Sequence, residues 1–192
     1  MTARTLRPMS VEEYLRSEET SPYKREYVGG YVYPLHGTRA QAGATGVHVR
    51  IGLNIVRAID DAALERGCYV FTSDMKLRLE GADNFYYPDV MAVCGGDEQS
   101  LSASFQTAPS LLVEVLSNST AKNDRIAKHA AYTTLPSLQT YLIVEQTKRK
   151  VYAYQRSGKG WQASELVGQD LIDLPYLGTT LALEQIYRGL PI

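Results

Sequence analysis

The chain predicts a single α/β domain, residues 1–192, built on a mixed central sheet flanked by helices. Three observations carry this. Apolar residues recur at helical spacing over 46–66, strand-like runs follow at 75–80, 88–94 and 110–117, and a second helical stretch precedes two further strand-like runs. Helix, strands, helix and strands in that order, without repeat, low-complexity tract or linker, is the grammar of a layered α/β fold. A length of 192 residues suits one core, and 44% hydrophobic with 21% charged residues excludes a disordered chain.

The elements follow in order. Ser10 with Glu13 three residues on reads as a capping box opening the helix VEEYLRSE. REYVGGYVY has two β-rich arms around Gly29-Gly30, the chemistry of a two-residue hairpin loop. Val47, Ile51, Ile55, Ile59 and Ala62 or Ala63 line one face of a long helix that Gly67 stops. In MKLRLE, charged Lys76, Arg78 and Glu80 alternate with Met75, Leu77 and Leu79, a half-exposed strand. GADN then turns the chain towards PDVMAVC, and these two runs are expected to pair antiparallel. After a polar loop, the unbroken apolar run around LLVEVL predicts a strand covered on both faces. STAKNDRIAKHAAYTTL predicts a helix with the inward stripe Ile126, Ala127, Ala130 and Ala131. YLIVEQ and KVYAYQR are strands across a charged turn at TKRK, and the remainder carries weaker signals.

Composition narrows the function classes. A net charge of −1 gives no global basic field towards nucleic acid, so any phosphate attraction must be local. Fourteen tyrosines against three phenylalanines suit wet clefts as well as edge-strand packing. Cys68 and Cys94 match no metal-ligand spacing and predict reduced, buried thiols in a cytoplasmic protein, with a disulfide between them as the alternative. MTARTLRPMS lacks an apolar stretch of signal-peptide length, and no run approaches the roughly 20 residues of a membrane span, so no membrane partner is expected.

Two carboxylates interrupt apolar runs. Strand alternation puts Asp89, Met91 and Val93 on one face, and Leu112, Glu114 and Leu116 on one face of the next predicted strand. If those strands are neighbours, the acids converge, at a repulsion of roughly 4 kcal/mol for about 4 Å and an effective dielectric near 20. A shared proton, a basic side chain or a divalent cation would relieve it. Mg2+, which takes one or two carboxylates plus waters and phosphate oxygens, fits a sparse pair on two strands. Lys128 falls just outside the apolar arc of its helix, so its stem could lie along the core edge and bring an ammonium near the same place.

PDV, LLVEVLSNSTAKNDRIAKHAAY and YLIVEQ, together with the SVEEYL helix and the REYVGGYV hairpin, resemble the Uma family of bacterial restriction endonucleases, a branch of the PD-(D/E)XK nuclease superfamily. The resemblance spans nearly the whole chain, and its specific part is the segment around Glu114 with the trailing DRIAK. It implies a restriction-endonuclease-like fold and a metal-dependent endonuclease that hydrolyses DNA phosphodiester bonds; a homodimer is expected because cutting both strands of a duplex is most simply done by two related sites. Asp89 and Glu114 would hold Mg2+, with Mn2+ as a substitute, and Glu26 would be a further ligand through water. The superfamily lysine stands two residues after the second acid, where this chain has Leu116; the resemblance implies that Lys128 supplies it from the following helix. The family also tends to show histidine at His48.

Plainer readings compete. Asp89 could be a solvated strand end, Glu26 a hairpin-flanking charge, and His48 a core-edge histidine with one satisfied hydrogen bond, or a residue lining the site. Asp124 and Lys128, four apart on a helix, could make a surface ion pair worth about 0.3 to 0.5 kcal/mol. Arg125 could meet a phosphate or belong to a solvated face. A nuclease fold without a lysine after Glu114 could also serve as a non-catalytic module binding nucleic acid or a protein partner. The remaining class is an α/β domain with no nucleic-acid contact.

Overall fold

The computed structural model describes residues 7–35, 44–96, 101–116, 123–158 and 160–192 and, for 123–125, the backbone alone. Helix α1 (Val11–Glu18) opens on the predicted capping box, Ser10 and Glu13 each receiving the other's backbone N–H. Strands β1 (Arg25–Val28) and β2 (Tyr31–Pro34) form the hairpin, and both loop glycines take positive φ, 58° and 86°. Helix α2 (Gly46–Glu65) ends where Gly67, at φ 68°, sends its N–H back to Leu64 O. Then come β3 (Cys68–Thr72), β4 (Lys76–Leu79), β5 (Asn84–Tyr86), β6 (Val90–Cys94), β7 (Phe105–Gln106), β8 (Pro109–Val115), α3 (Asn123–Tyr132), β9 (Thr140–Val144), β10 (Lys150–Ser157) and β11 (Gly160–Val167). β12 (Leu171–Leu174), a 3-10 turn, β13 (Thr179–Ala182) and the short α4 (Leu183–Ile186) follow. Among the described residues no helix is long and apolar enough to cross a membrane.

The α/β class is as expected, but the strands divide between a six-stranded sheet in the order β11-β10-β9-β8-β6-β3, a five-stranded sheet in the order β2-β1-β5-β4-β7, and the ribbon β12-β13. The six-stranded sheet is mixed, with β8 and β9 parallel and its other pairs antiparallel. One of its faces receives Ile51, Ile55 and Ile59 of α2, together with Ile172, Leu181 and Ile186 from the C-terminal part. Met91, Leu112, Tyr141 and Ile143 on the other face pack with Tyr132 of α3 and with Leu77, Leu79 and Tyr86 of the five-stranded sheet. Tyr14 of α1 stacks on Tyr27 and packs against Phe85 in a separate cluster. β8 is buried along both faces apart from Glu114, as its unbroken apolar run requires.

Three expectations are corrected. MKLRLE pairs with β5, not with PDVMAVC, whose strand joins β3 and β8 in the other sheet. The cause is Pro88, which lacks an N–H and cuts NFYYPDVMAVC into two strands of two sheets. Cys68 and Cys94 are direct cross-strand partners and form a disulfide, not two reduced thiols, so the cysteines no longer point to the cytoplasm. The inward face of α3 is Lys128 and Tyr132, with Ala131 of the predicted stripe packed against the Tyr132 cluster, whereas Ile126 is 63% exposed and Ala127 and Ala130 face solvent. A buried cation with carboxylate partners outweighed the apolar stripe that periodicity ranks first.

Candidate active site

Past Pro88 the chain enters the six-stranded sheet. Asp89 N–H donates to Val113 O at 3.0 Å, so Asp89 stands at the very start of the β6-β8 ladder. Val115 N–H points to the side that the incoming chain has left, and the Asp89 carboxylate fills that gap: its Oδ2 accepts from Val115 N–H at 2.7 Å. Asp89 Oδ1 lies 2.8 Å from His48 Nε2. His48 is in the first turn of α2, its N–H capped by Thr45 Oγ1 at 3.1 Å, where the helix dipole favours a carboxylate nearby. Burial, the largest influence on the imidazole, works to lower its pKa; the hydrogen bond and charge of Asp89, with Glu114 beyond, outweigh it and the pKa is raised. His48 is therefore both a satisfied histidine and a neighbour of the acidic cluster, and Asp89 is no merely solvated strand end.

Val90 opposes Val113 and Met91 opposes Leu112, and Asp89, just before Val90, donates its N–H to Val113 O and accepts Val115 N–H, so its carboxylate lies beside the stretch of β8 that carries Glu114. The Glu114 side chain is 15% exposed. Tyr132 O–H donates to its Oε1 at 2.8 Å, and Lys128 Nζ lies 3.2 Å from both its oxygens. Burial pushes the Glu114 carboxyl up to about 7; the negative charges of Asp89 and Glu26 push the same way, while Lys128 and the tyrosine hydroxyl oppose them.

Lys128 also reaches the five-stranded sheet. Its Nζ is 2.9 Å from Glu26 Oε1 on β1, a close ion pair, although that buried oxygen receives no aligned hydrogen bond. Burial, the largest influence on the ammonium, lowers its pKa, yet the two glutamates prevail and the pKa is raised, so Lys128 is a cation at neutral pH. Its buried position displaces the surface-pair reading with Asp124, whose side chain, like that of Arg125, lies outside the described residues; both belong to α3 by their backbone. Sequence reasoning missed Tyr132. It stands four residues after Lys128 on the same helix face, and placing the lysine inward would have found it.

Glu26, Asp89 and Glu114, three acids, thus face Lys128 and His48, two groups that carry positive charge when protonated. Among the described residues no three His, Cys, Asp or Glu side chains already converge as a metal cage. The donor chemistry nonetheless suits a hard cation that keeps most of its waters: Asp89, Glu114 and Glu26 offer carboxylate oxygens alone, few enough to leave room for water.

Comparison with known proteins points one way. Residues 11–184 match the sequence pattern of the Uma2 family, described as "Putative restriction endonuclease". Two uncharacterized proteins of Synechocystis sp. are similar: one is 34% identical over 174 residues, covering 88% of this chain and 94% of the relative, and the other 33% identical over 183 residues, covering 95% and 93%. The fold resembles the crystal structure of "a putative nuclease belonging to DUF820" from Anabaena variabilis, with a TM-score of 0.71 at 17% identity over 93% of this chain and 97% of that one.

Proposed function

The chain belongs to the Uma2 family of restriction-endonuclease type, and from that premise we propose that it is a Mg2+-dependent endonuclease hydrolysing DNA phosphodiester bonds. One observation carries the reading: Asp89, at the entry to β6, lies beside the neighbouring strand β8 that carries Glu114, with the Lys128 ammonium against Glu114. A mid-strand acid and a helix-borne lysine are costly to bury, and here they are buried together in a nuclease-type fold.

Asp89 and Glu114 would hold the ion, with Glu26 assisting through water. Mg2+, or Mn2+ in its place, supplies Lewis-acid polarisation of the phosphate and a more acidic water. Lys128 orients the attacking water and stabilises negative charge developing on the phosphate oxygens. His48 fixes the Asp89 carboxylate through Oδ1 while Val115 N–H fixes it through Oδ2, so the acid is oriented before any ligand arrives. Tyr132 holds Glu114 in the same way. Cutting both strands of a duplex is met most simply by two copies of the site in a homodimer.

The test combines calorimetric titration of Mg2+ into wild type and Glu114→Ala with plasmid cleavage by wild type, Glu114→Ala and Lys128→Ala. Mg2+ heat and cleavage in wild type, both lost in Glu114→Ala, with cleavage alone lost in Lys128→Ala, are expected. Equal heats and equal cleavage across the three would end the catalytic assignment. A second reading, a non-catalytic module that binds nucleic acid, is favoured by Lys128 being paired to two glutamates as it stands. It predicts DNA binding without cleavage under any divalent ion.

A further inference from the structure

The outer strand of the hairpin carries aromatic surface that the reaction above does not use. β2 is the edge of the five-stranded sheet, and its register against β1 pairs Tyr33 with Glu26 and Tyr31 with Val28. Directly opposed residues of an antiparallel pair project to the same face, with Cβ atoms about 4.5 to 5.5 Å apart. The Glu26 carboxylate reaches Lys128, so the face it occupies is the face of the acidic cluster, and Tyr33 lies one strand further out on it. Val32 between the two tyrosines packs against the cluster of Tyr14, Tyr27 and Phe85, which fixes the alternation. Tyr31 and Tyr33 keep 36% and 41% of their surface exposed. Two rings on one strand face, two residues apart, are separated by about 6.8 Å along the strand.

Exposed aromatic rings beside a phosphodiester site have a definite chemistry. Every base has a π-face, so a ring platform takes successive unpaired bases without regard to sequence, while bases inside a duplex present no such face. A net charge of −1 gives the chain no global basic field, so phosphate attraction is local and ring stacking adds to it. We propose that Tyr31 and Tyr33 form a stacking platform for two unpaired bases of the substrate strand beside the Glu26 and Lys128 pair. The substrate class is then nucleic acid with unpaired bases next to the scissile phosphate, in preference to continuous duplex. This rests on the nuclease reading only for where the scissile phosphate sits.

The experiment measures fluorescence anisotropy of labelled oligothymidylate, oligouridylate and a paired duplex, with Ca2+ replacing Mg2+, against wild type, Tyr33→Ala, the double variant Tyr31→Ala/Tyr33→Ala and the double variant Tyr31→Phe/Tyr33→Phe. Wild type binds both unpaired strands more tightly than the duplex. Each tyrosine replaced by alanine weakens oligothymidylate binding by about 5- to 140-fold, the phenylalanine pair binds as wild type, and duplex affinity is unchanged throughout. Alanine variants that bind oligothymidylate as wild type does overturn the platform. So does phenylalanine failing with alanine, or sedimentation showing that the alanine pair splits a dimer while strand affinity stays the same. The two readings fail separately. Loss of strand binding in the alanine variants of a protein that with Mg2+ cleaves neither plasmid nor oligothymidylate nor oligouridylate keeps the platform and removes the nuclease, and cleavage with unaltered strand binding does the reverse.

Discussion

Replacing Lys128 with methionine keeps most of the side chain's length and removes its charge. In the wild type the ammonium lies 2.9 Å from Glu26 and 3.2 Å from Glu114. At an effective dielectric near 20, those separations correspond to about 5 kcal/mol of attraction apiece, most of it offset by the cost of taking three charges from water. The variant leaves two buried carboxylates facing each other, and removing one partner of such a group costs about 3 to 5 kcal/mol. The cost has a pH signature. Glu114 already titrates at about 7, above its ordinary 4.5, and Lys128 is the strongest influence holding it down, so the variant raises it further. A carboxyl raised in the folded state favours folding below its unfolded pKa and loses that advantage as pH rises through the folded one. Lys128→Met should therefore be close to wild type in stability near pH 5 and weakest near pH 8. Urea denaturation of both proteins at the two pH values measures this. A deficit of equal size at both, or none at pH 8, would show that the ammonium is not what stabilises the acids.

Three further outcomes follow from the same contacts. Mg2+ affinity should rise with pH up to about 7 and then level, because Glu114 must shed its proton to bind; calorimetry in buffers of different ionisation heat would count that proton, and a flat profile with no release contradicts it. Tyr132→Phe deletes one hydrogen bond to a carboxylate, costing about 1.5 to 3 kcal/mol in stability and moving the midpoint of the Mg2+ pH profile upward; an unmoved midpoint with wild-type stability would detach Tyr132 from the site. Opening the Cys68–Cys94 disulfide, whose partners are 26 residues apart, should cost about 3.5 kcal/mol on loop-entropy grounds, read by denaturation with and without reductant, and thiol titration of the unfolded oxidised protein should find no free thiol.

What could be read from the chain, and what could not, divides along a physical line. Local chemistry was legible: the Ser10 and Glu13 capping box, the Gly29-Gly30 hairpin and the Gly67 stop all depend on residues within a few positions. The adjacency of β6 and β8 was expected from the rule that consecutive strands tend to pair, and it holds although the short β7 of the other sheet comes between them in the chain. Long-range register was not legible. Nothing near Cys68 or Cys94 announces that β3 and β6 bring them opposite one another, and Pro88 could be seen as a ladder breaker without revealing that it separates two sheets. The orientation of α3 was misread because apolar periodicity ranks Ile126 and the alanines inward, and the stabilisation of an inward Lys128 comes from acids far away in sequence on β1 and β8. Tyr132 was lost with it.

The Asp89 side chain has masonry duties as well as chemical ones, since it closes a gap in the main-chain lattice by accepting Val115 N–H. Its replacements are consequently unequal. Alanine strips away that acceptor and loosens the wall on which Glu114 is mounted, whereas asparagine can still receive the amide through its carbonyl while surrendering the formal charge. A silent protein bearing asparagine there would be a faithful cast of the working one, and the two substitutions together separate architecture from reactivity at a single position.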